Sequence, residues 1–262
     1  MLIRLGAALV AVLAVAALVD FGTTVFAEYR LSRSVRTAAQ LQWDPSVAIL
    51  DFPFIPQAMR GHYREVEVRA TDVDHPLVGR ASLEATMHSI DLPDGSWLIG
   101  PDAKLPVAKL ESRIIIDSAH LGRYLGITDL MVEAPSRDLS DAADVTTESG
   151  ISDSHGLVFT GTPKAADFDK RVSVSVDLSI TGADHSTLEF IPTAVLTGPG
   201  TAGQAVPENR KQAVLDAFRA ALPDQKLPFG VAPTSQGARG SDVIIEGITE
   251  GVTIALDGFR QS

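Results

Sequence analysis

Along the chain, apolar positions follow three patterns, each predicting a different element. From Leu5 to Val19 (LGAALVAVLAVAALV) no side chain is polar. In EYRLSRSVRTAAQLQ (28–42), Leu31, Val35, Ala38 and Ala39 recur at i, i+4, i+7 and i+8, which is one stripe of an amphipathic helix. Trp43-Asp44-Pro45 should end it, because a residue preceding proline disfavours the helical region. Over much of the remainder apolar and polar residues alternate, the period of a strand with one dry face. VEVRA (66–70) and ASLEATM (81–87) alternate, and LPVAKLESRIIID (105–117) is longer and less regular. The clearest case is VSVSVDLSI (172–180), where Val172, Val174, Val176, Leu178 and Ile180 share one side. STLEFIPTAVL (186–196) is the expected partner, with a turn near Gly182–Asp184 and an edge position or bulge at Pro192.

A second amphipathic helix is expected over Pro207–Leu222, with Val214, Leu215, Phe218, Ala221 and Leu222 on its apolar face. SDVIIEGITEGVTIALDG (241–258) reads as strand broken by Gly247 and Gly251, and 134–156 as a polar, turn-rich excursion. Strands that follow one another, with three or four helices rather than strict strand–helix alternation, predict an α+β fold with antiparallel pairing.

ILDFPFIPQAMRG (49–61) breaks the polar character of its surroundings. Pro53 and Pro56 suit a bend and the first turn of a short helix, and Gly61 suits its left-handed stop. Phe52, Phe54, Ile55 and Met59 then sit on an element able to line or gate an opening, or equally to plug the end of a filled core. The dry faces of 172–180 and 186–196, including Val174, Val176, Leu178, Leu188 and Phe190, are the candidate wall for acyl chains. Each buried CH₂ of such a chain contributes about 0.8 kcal/mol.

The N-terminal run is long enough for a signal-peptide core, and Val25-Phe26-Ala27 offers small residues at −3 and −1 for cleavage before Glu28. With Phe21–Ala27 added, the run could instead span a bilayer as an uncleaved anchor. Residues 1–27 are thus a signal peptide or signal anchor, and 28–262 a single exported domain. Arg30, Arg33 and Arg36 after the run favour a cytoplasmic C-terminus by the positive-inside tendency. Long following domains translocate largely regardless of such charges, so export is the expectation, with these arginines beside the membrane.

Charge and chemistry narrow the function classes. The net charge is −11, from 22 basic and 33 acidic residues, with no basic run, which argues against nucleic-acid binding. The chain has no cysteine, which excludes disulfides, thiolate metal sites and a cysteine nucleophile. GPGTAG (198–203) matches G-x-G-x-x-G literally, but the context for a dinucleotide site is missing and a loop is expected. The histidines at 62, 75, 88, 120, 155 and 185 are scattered, and TDVDHP (71–76) reads as a solvated turn, so no metal and no cofactor are expected. No triad, P-loop or carboxylate pair is recognisable, so no catalytic residue is named. A hydrolase or acyltransferase with dispersed residues stays open as the less favoured alternative.

The apolar N-terminal segment, the amphipathic helix, VAILDFPFIPQAMRGHYREVEVRATDV (47–73) and LPFGVAPTSQGARGSDVIIEGITEGVTI (227–254) together resemble the LmeA-like family of actinobacterial envelope proteins. That resemblance covers nearly all of the chain after residue 27. It implies a curled antiparallel sheet wrapped around a long helix, similar to tubular lipid-binding (BPI-like) domains. It implies a non-enzymatic phospholipid-binding or lipid-transfer protein of the cell envelope, associated with the plasma membrane. It further implies a link to glycan-synthesis machinery, in support of mannan elongation on lipomannan and lipoarabinomannan. The competing reading is a filled-core interaction module that assembles envelope glycosyltransferases.

Overall fold

A computed structural model of the protein describes residues 2–92, 96–134, 156–182 and 186–260. The polar segment anticipated at 134–156 therefore lies, apart from its two ends, outside the described residues, as do His155 and His185. The fold class is α+β, a curled antiparallel sheet with four α-helices among the described residues, the first long and apolar. Backbone proximity divides the chain into two compact units. The first is Met1–Ala70, Glu84–Glu111 and Thr249–Arg260; the second is Thr71–Leu83, Ser112–Ile248 and the two C-terminal residues.

In order, the elements are α1 (Leu2–Ala39), β1 (Ser46–Leu50), α2 (Phe54–Arg60), β2 (His62–His75), β3 (Gly79–Asp91) and β4 (Lys104–Asp117). Then come α3 (Ser118–Leu125), β5 (Met131–Glu133), β6 (Gly156–Gly161), β7 (Val172–Thr181), β8 (Thr187–Leu196) and α4 (Glu208–Asp216). The last are β9 (Ala220–Leu222), β10 (Ser235–Arg239) and β11 (Asp242–Ala255). One sheet has the order β1-β2-β3-β4-β11-β10, the other β5-β6-β7-β8-β9.

In the first unit, the apolar run and the amphipathic stretch form one uninterrupted helix. Its character changes at Asp20. Residues 6–19 are exposed all round, whereas Asp20, Ala27, Leu31, Val35 and Ala39 are buried on one face, seven, four, four and four residues apart, with Ser32 buried beside Leu31. That stripe packs against β1, α2 and the turn Leu256–Gly258. Glu28 and Ser32 fix the helix further: Ile49 N–H donates to Glu28 Oε1 at 2.9 Å, and Ser32 Oγ–H donates to the Pro45 carbonyl at 2.6 Å. The helix stops at Ala39, ahead of the Trp43-Asp44-Pro45 signal, where Gln40 takes φ 56°.

In the second unit, β7 pairs with β8 so that Val174 opposes Val195 and Leu178 opposes Phe190. The register slips between Ser175 and Val176, opposite Pro192, and β9 pairs only with Leu188–Phe190. Pro192 thus lies at a bulge and beyond the reach of the outer strand, where its missing N–H costs nothing. The nominally wet face of β7 is partly covered: Ser173 is buried, shares a 2.8 Å hydrogen bond with Thr160, and accepts from Ala202 N–H at 2.9 Å. GPGTAG is the loop that supplies this cover, and no helix begins until Glu208.

Two expectations are corrected. The helix expected to reach Leu222 ends at Asp216, and Ala220–Leu222 instead extends the second sheet as β9. Pro223 explains the switch, since it pushes Leu222 out of the helical region and into an extended conformation. β11 runs unbroken through Gly247 and Gly251. A Cβ on Gly247 would lie 2.2 Å from the Ala232 carbonyl oxygen, so this glycine marks close backbone approach rather than a strand end. A further helix, α3, was not anticipated. Asp117 closes β4 and accepts from His120 N–H at 2.8 Å as an N-cap, and Gly126 ends the helix at φ 72°.

TDVDHP is not simply a solvated turn, because His75 is buried. Its Nδ1 accepts from the N–H groups of Leu77 (3.1 Å) and Val78 (3.3 Å), and its Nε2 lies 3.1 Å from Gln225 Oε1. An acceptor Nδ1 with a donor Nε2 is the neutral imidazole. Burial pushes the His75 pKa down, against the upward pull of the Gln225 hydrogen bond. The unfolded chain then binds the proton more readily than the folded one. Stability from this group is complete above the ordinary value of 6.5 and is lost as pH falls below it towards the depressed folded value. The thermal midpoint is expected to drop between pH 7.5 and pH 5, and a His75→Asn variant to flatten that dependence; scanning calorimetry at both pH values checks it.

Candidate functional site at the root of the long helix

The turn at Pro53–Gly61 forms as its residues predict. α2 covers Phe54–Arg60, and Gly61 (φ 63°, ψ 29°) closes it, its N–H directed to the carbonyls of Ala58 and Gln57. Pro53, at the N-cap position, provides no side-chain cap. The cap comes from Asp20, more than thirty residues earlier on α1: Oδ2 accepts from Phe54 N–H at 2.9 Å and Oδ1 from Ile55 N–H at 2.7 Å. Both carboxyl oxygens therefore satisfy donors at a helix start that would otherwise lack partners. Gln57, also buried, secures the other side of the turn. Its Nε2 donates to the Asp51 carbonyl at 2.5 Å, and its Oε1 accepts from Arg64 N–H at 3.1 Å.

Behind α2 stands an aromatic cluster. Phe54 stacks on Tyr63 (centroids 5.7 Å, planes 9° apart) and meets Trp97 edge-on at 6.5 Å, while Phe26 of α1 tilts against Trp97 at 6.2 Å. Tyr63 is fully buried and its hydroxyl donates to the Trp97 carbonyl; burial pushes its phenol pKa up to about 12. It stays protonated at any physiological pH.

Between α1 and α2 lies an open groove of about 380 Å³, lined by Val19 and Thr23 of α1, by Phe54, Ile55, Ala58 and Met59 of α2, and by Trp97. Thr23 is the lone hydrogen-bonding side chain of α1 or α2 in this lining, and its hydroxyl is already turned onto the Val19 carbonyl of its own helix. The groove is therefore apolar in practice. Its volume falls within the range of small-molecule sites, about 300–1,000 Å³. Met59, at the rim of this lining, is 83 % exposed, an apolar side chain turned to solvent.

The residues anticipated from sequence fall into two groups. Phe54, Ile55 and Met59 line this groove, and Phe52 stands exposed just before α2. Val174, Val176, Leu178, Leu188 and Phe190 belong to β7 and β8 of the second unit and are buried, each 4 % exposed or less. Phe190 there packs against Phe159 at 5.6 Å. Arg30, Arg33 and Arg36 follow Asp20 along α1, about 15, 20 and 24 Å beyond it at 1.5 Å per residue. Arg33 lies over the Tyr29 ring at 5.8 Å, and Arg36 bridges to Asp44 at 3.2 Å. Asp20, Thr23, Trp97, Gln57 and Tyr63 were not anticipated. Only Asp20 carried a signal, as a single acid ending an apolar run.

Nothing in the lining can act as a nucleophile with a base beside it. Among the described residues no group of three or more His, Asp or Glu side chains is arranged to hold a metal ion. The second unit has a separate cleft of about 400 Å³, with Arg80, His120, Arg123 and Tyr124 among its lining. Arg80 is engaged there by Asp72 at 3.5 Å.

Fold and groove together define a class: an α+β protein that carries an apolar recess beside a long apolar helix. The chain belongs to the LmeA-like phospholipid-binding family, whose model matches residues 18–248. Among curated proteins and among solved structures, nothing matches the chain. The family supports lipid binding, and the helix Leu2–Ala39 is long and apolar enough at its start to serve as a signal segment or a membrane span.

Proposed function

We propose that the protein is a non-enzymatic phospholipid-binding protein of the cell envelope, and that the groove between α1 and α2 takes an acyl chain. The observation that carries this reading is the groove itself: apolar, open, and lined by Val19, Phe54, Ile55, Ala58, Trp97 and the exposed Met59. Family membership supports the phospholipid as ligand. An acyl chain laid against Phe54, Ile55, Ala58 and Met59 exchanges water for hydrocarbon along its length, at about 0.8 kcal/mol per buried CH₂. Lipid transfer and support of mannan elongation by envelope glycan-synthesis machinery extend the same reading.

Val174, Val176, Leu178, Leu188 and Phe190 enter it differently. Their burial favours a filled core for the second unit, and so a second reading in which that unit serves as an interaction module. The two readings are compatible in one chain, with lipid held in the first unit and a partner held by the second.

The test uses full-length protein in vesicles of phosphatidylethanolamine and phosphatidylglycerol that contain a diazirine-labelled acyl chain. After photolysis, label is expected on the peptides carrying Phe54–Met59 and Trp97. Ala58→Trp, which fills the groove, should reduce that labelling at least fivefold. Ile55→Asp should do the same without added bulk, whereas Ala58→Ser should not. Label found only on β7 and β8, or unchanged in both groove variants, overturns the assignment.

A further inference from the structure

We infer that α1 is retained in the working protein as a membrane anchor whose middle turn, Val19–Thr23, is a wall of the lipid groove, so that the groove opens sideways onto the outer leaflet. This deepens the proposed function and rests on it for the identity of the ligand, but not for the retention of the helix.

The cleavage signal Val25-Phe26-Ala27 lies inside an unbroken helix, and its Ala27 is the first residue of the buried stripe formed by Ala27, Leu31, Val35 and Ala39. Cutting after Ala27 would remove Asp20 and both of its hydrogen bonds to α2, leaving Phe54 and Ile55 N–H without acceptors. It would remove Val19 and Thr23, one side of the groove, and Phe26, the ring that covers Trp97. Residues 20–27 are therefore built into the first unit as firmly as the helix that follows. The family match agrees, since it begins at residue 18 rather than at 28.

The arrangement also sets the depth of the membrane. Residues 6–19 are exposed on every side and apolar, as a segment surrounded by lipid must be. From Asp20 onward α1 has two faces: Asp20 and Ala27 turn inward, while Phe21, Val25 and Phe26 remain exposed by 69, 56 and 49 %. An ionisable side chain at the edge of a bilayer is costly unless its oxygens are occupied, and α2 occupies both oxygens of Asp20. The exposed face of 21–26 lengthens the apolar surface of residues 5–19 to about 33 Å at 1.5 Å per residue, close to the hydrocarbon thickness of a bilayer. Met59, held at the level of Val19 and Thr23, then enters the leaflet at the same depth as Phe21. The groove is continuous with the anchor's own lipid-facing surface, because Val19 belongs to both. A phospholipid can move one acyl chain from the leaflet into it without crossing water. The occupant is thus a bilayer lipid and not a soluble one.

The experiment is intact-mass analysis of the full-length chain, exported by a bacterial host and recovered from its membrane fraction, with and without carbonate washing. The expected mass retains residues 20–27, and the protein stays with the membrane after the wash. A mature N-terminus at Glu28 overturns the inference. In the retained chain, Asp20→Ala should speed amide exchange in the peptide spanning 54–60 at least tenfold, with Asp20→Asn in between; unchanged exchange overturns the role of Asp20. The two proposals separate cleanly. A chain cut at 28 that still labels at Phe54–Met59 defeats retention alone, and a retained chain that labels nowhere in the groove defeats the lipid reading alone.

Discussion

Glu246→Ala is expected to destabilise the second unit by about 3–5 kcal/mol, the cost of breaking a buried ion pair from one side. Glu246 is 1 % exposed, lies in β11, and accepts through Oε2 from Arg113 Nε–H of β4; Arg113 itself is 9 % exposed. Ser235 Oγ lies 3.4 Å from the other carboxyl oxygen. Removing the carboxylate takes a buried ion-pair partner from a guanidinium that water reaches poorly, so less of its desolvation is offset. For a unit of this size the loss corresponds to a fall in thermal midpoint of about 10 °C. An Arg113→Met/Glu246→Leu double variant should recover most of it, because an apolar pair of similar volume carries no desolvation penalty. Thermal unfolding of the full-length protein, followed by circular dichroism, measures both. A single variant that melts within about 2 °C of the parent would show that the pair is solvated.

What could be read from sequence was whatever repeats along the chain. The stripe of Leu31, Val35, Ala38 and Ala39 and the alternation of β7 place apolar side chains by period alone; Leu31, Val35, Ala39, Val172, Val174, Val176 and Leu178 are buried as that period requires, while Ala38 and Ile180 are half-buried. Pro53, Pro56 and Gly61 were equally legible, since each restricts its own backbone and needs no distant partner. The unreadable parts depend on residues far apart. Asp20 ends an apolar run and looks like the boundary of a membrane segment. Its hydrogen bonds to Phe54 and Ile55 form only when a helix turn from 34 residues later is brought beneath it. Trp97 sits in the twelve-residue connection between β3 and β4 and shows no period, yet it backs the groove. Leu222 fits a helical stripe as well as a strand, and only its neighbour Pro223 decides the matter. Period locates a face. The atoms that hold two faces together carry no period.

Phe54→Ala should cost the first unit about 3–5 kcal/mol, the usual range for truncating a buried aromatic side chain. Phe54 is 2 % exposed and lies between the Tyr63 ring, stacked at 5.7 Å, and Trp97, edge-on at 6.5 Å. Truncation removes both ring contacts and leaves a void that Tyr63 cannot fill, because its hydroxyl is tied to the Trp97 carbonyl. Phe54→Leu keeps much of the volume and should cost clearly less. The same side chain is also the floor of the groove, so the two variants report on function in a way the Ala58→Trp block does not. A groove widened by Phe54→Ala should still accept photolabelled acyl chain, with label moving towards Tyr63 and Trp97, even as the melting midpoint falls. Stability and labelling would then change in opposite senses for Phe54→Ala and Ala58→Trp, one deepening the recess at the expense of the core, the other closing it with the core intact. If both variants instead lost label in proportion to their loss of stability, labelling would follow the folding of the first unit alone, and the groove would have no claim to be the place where lipid sits.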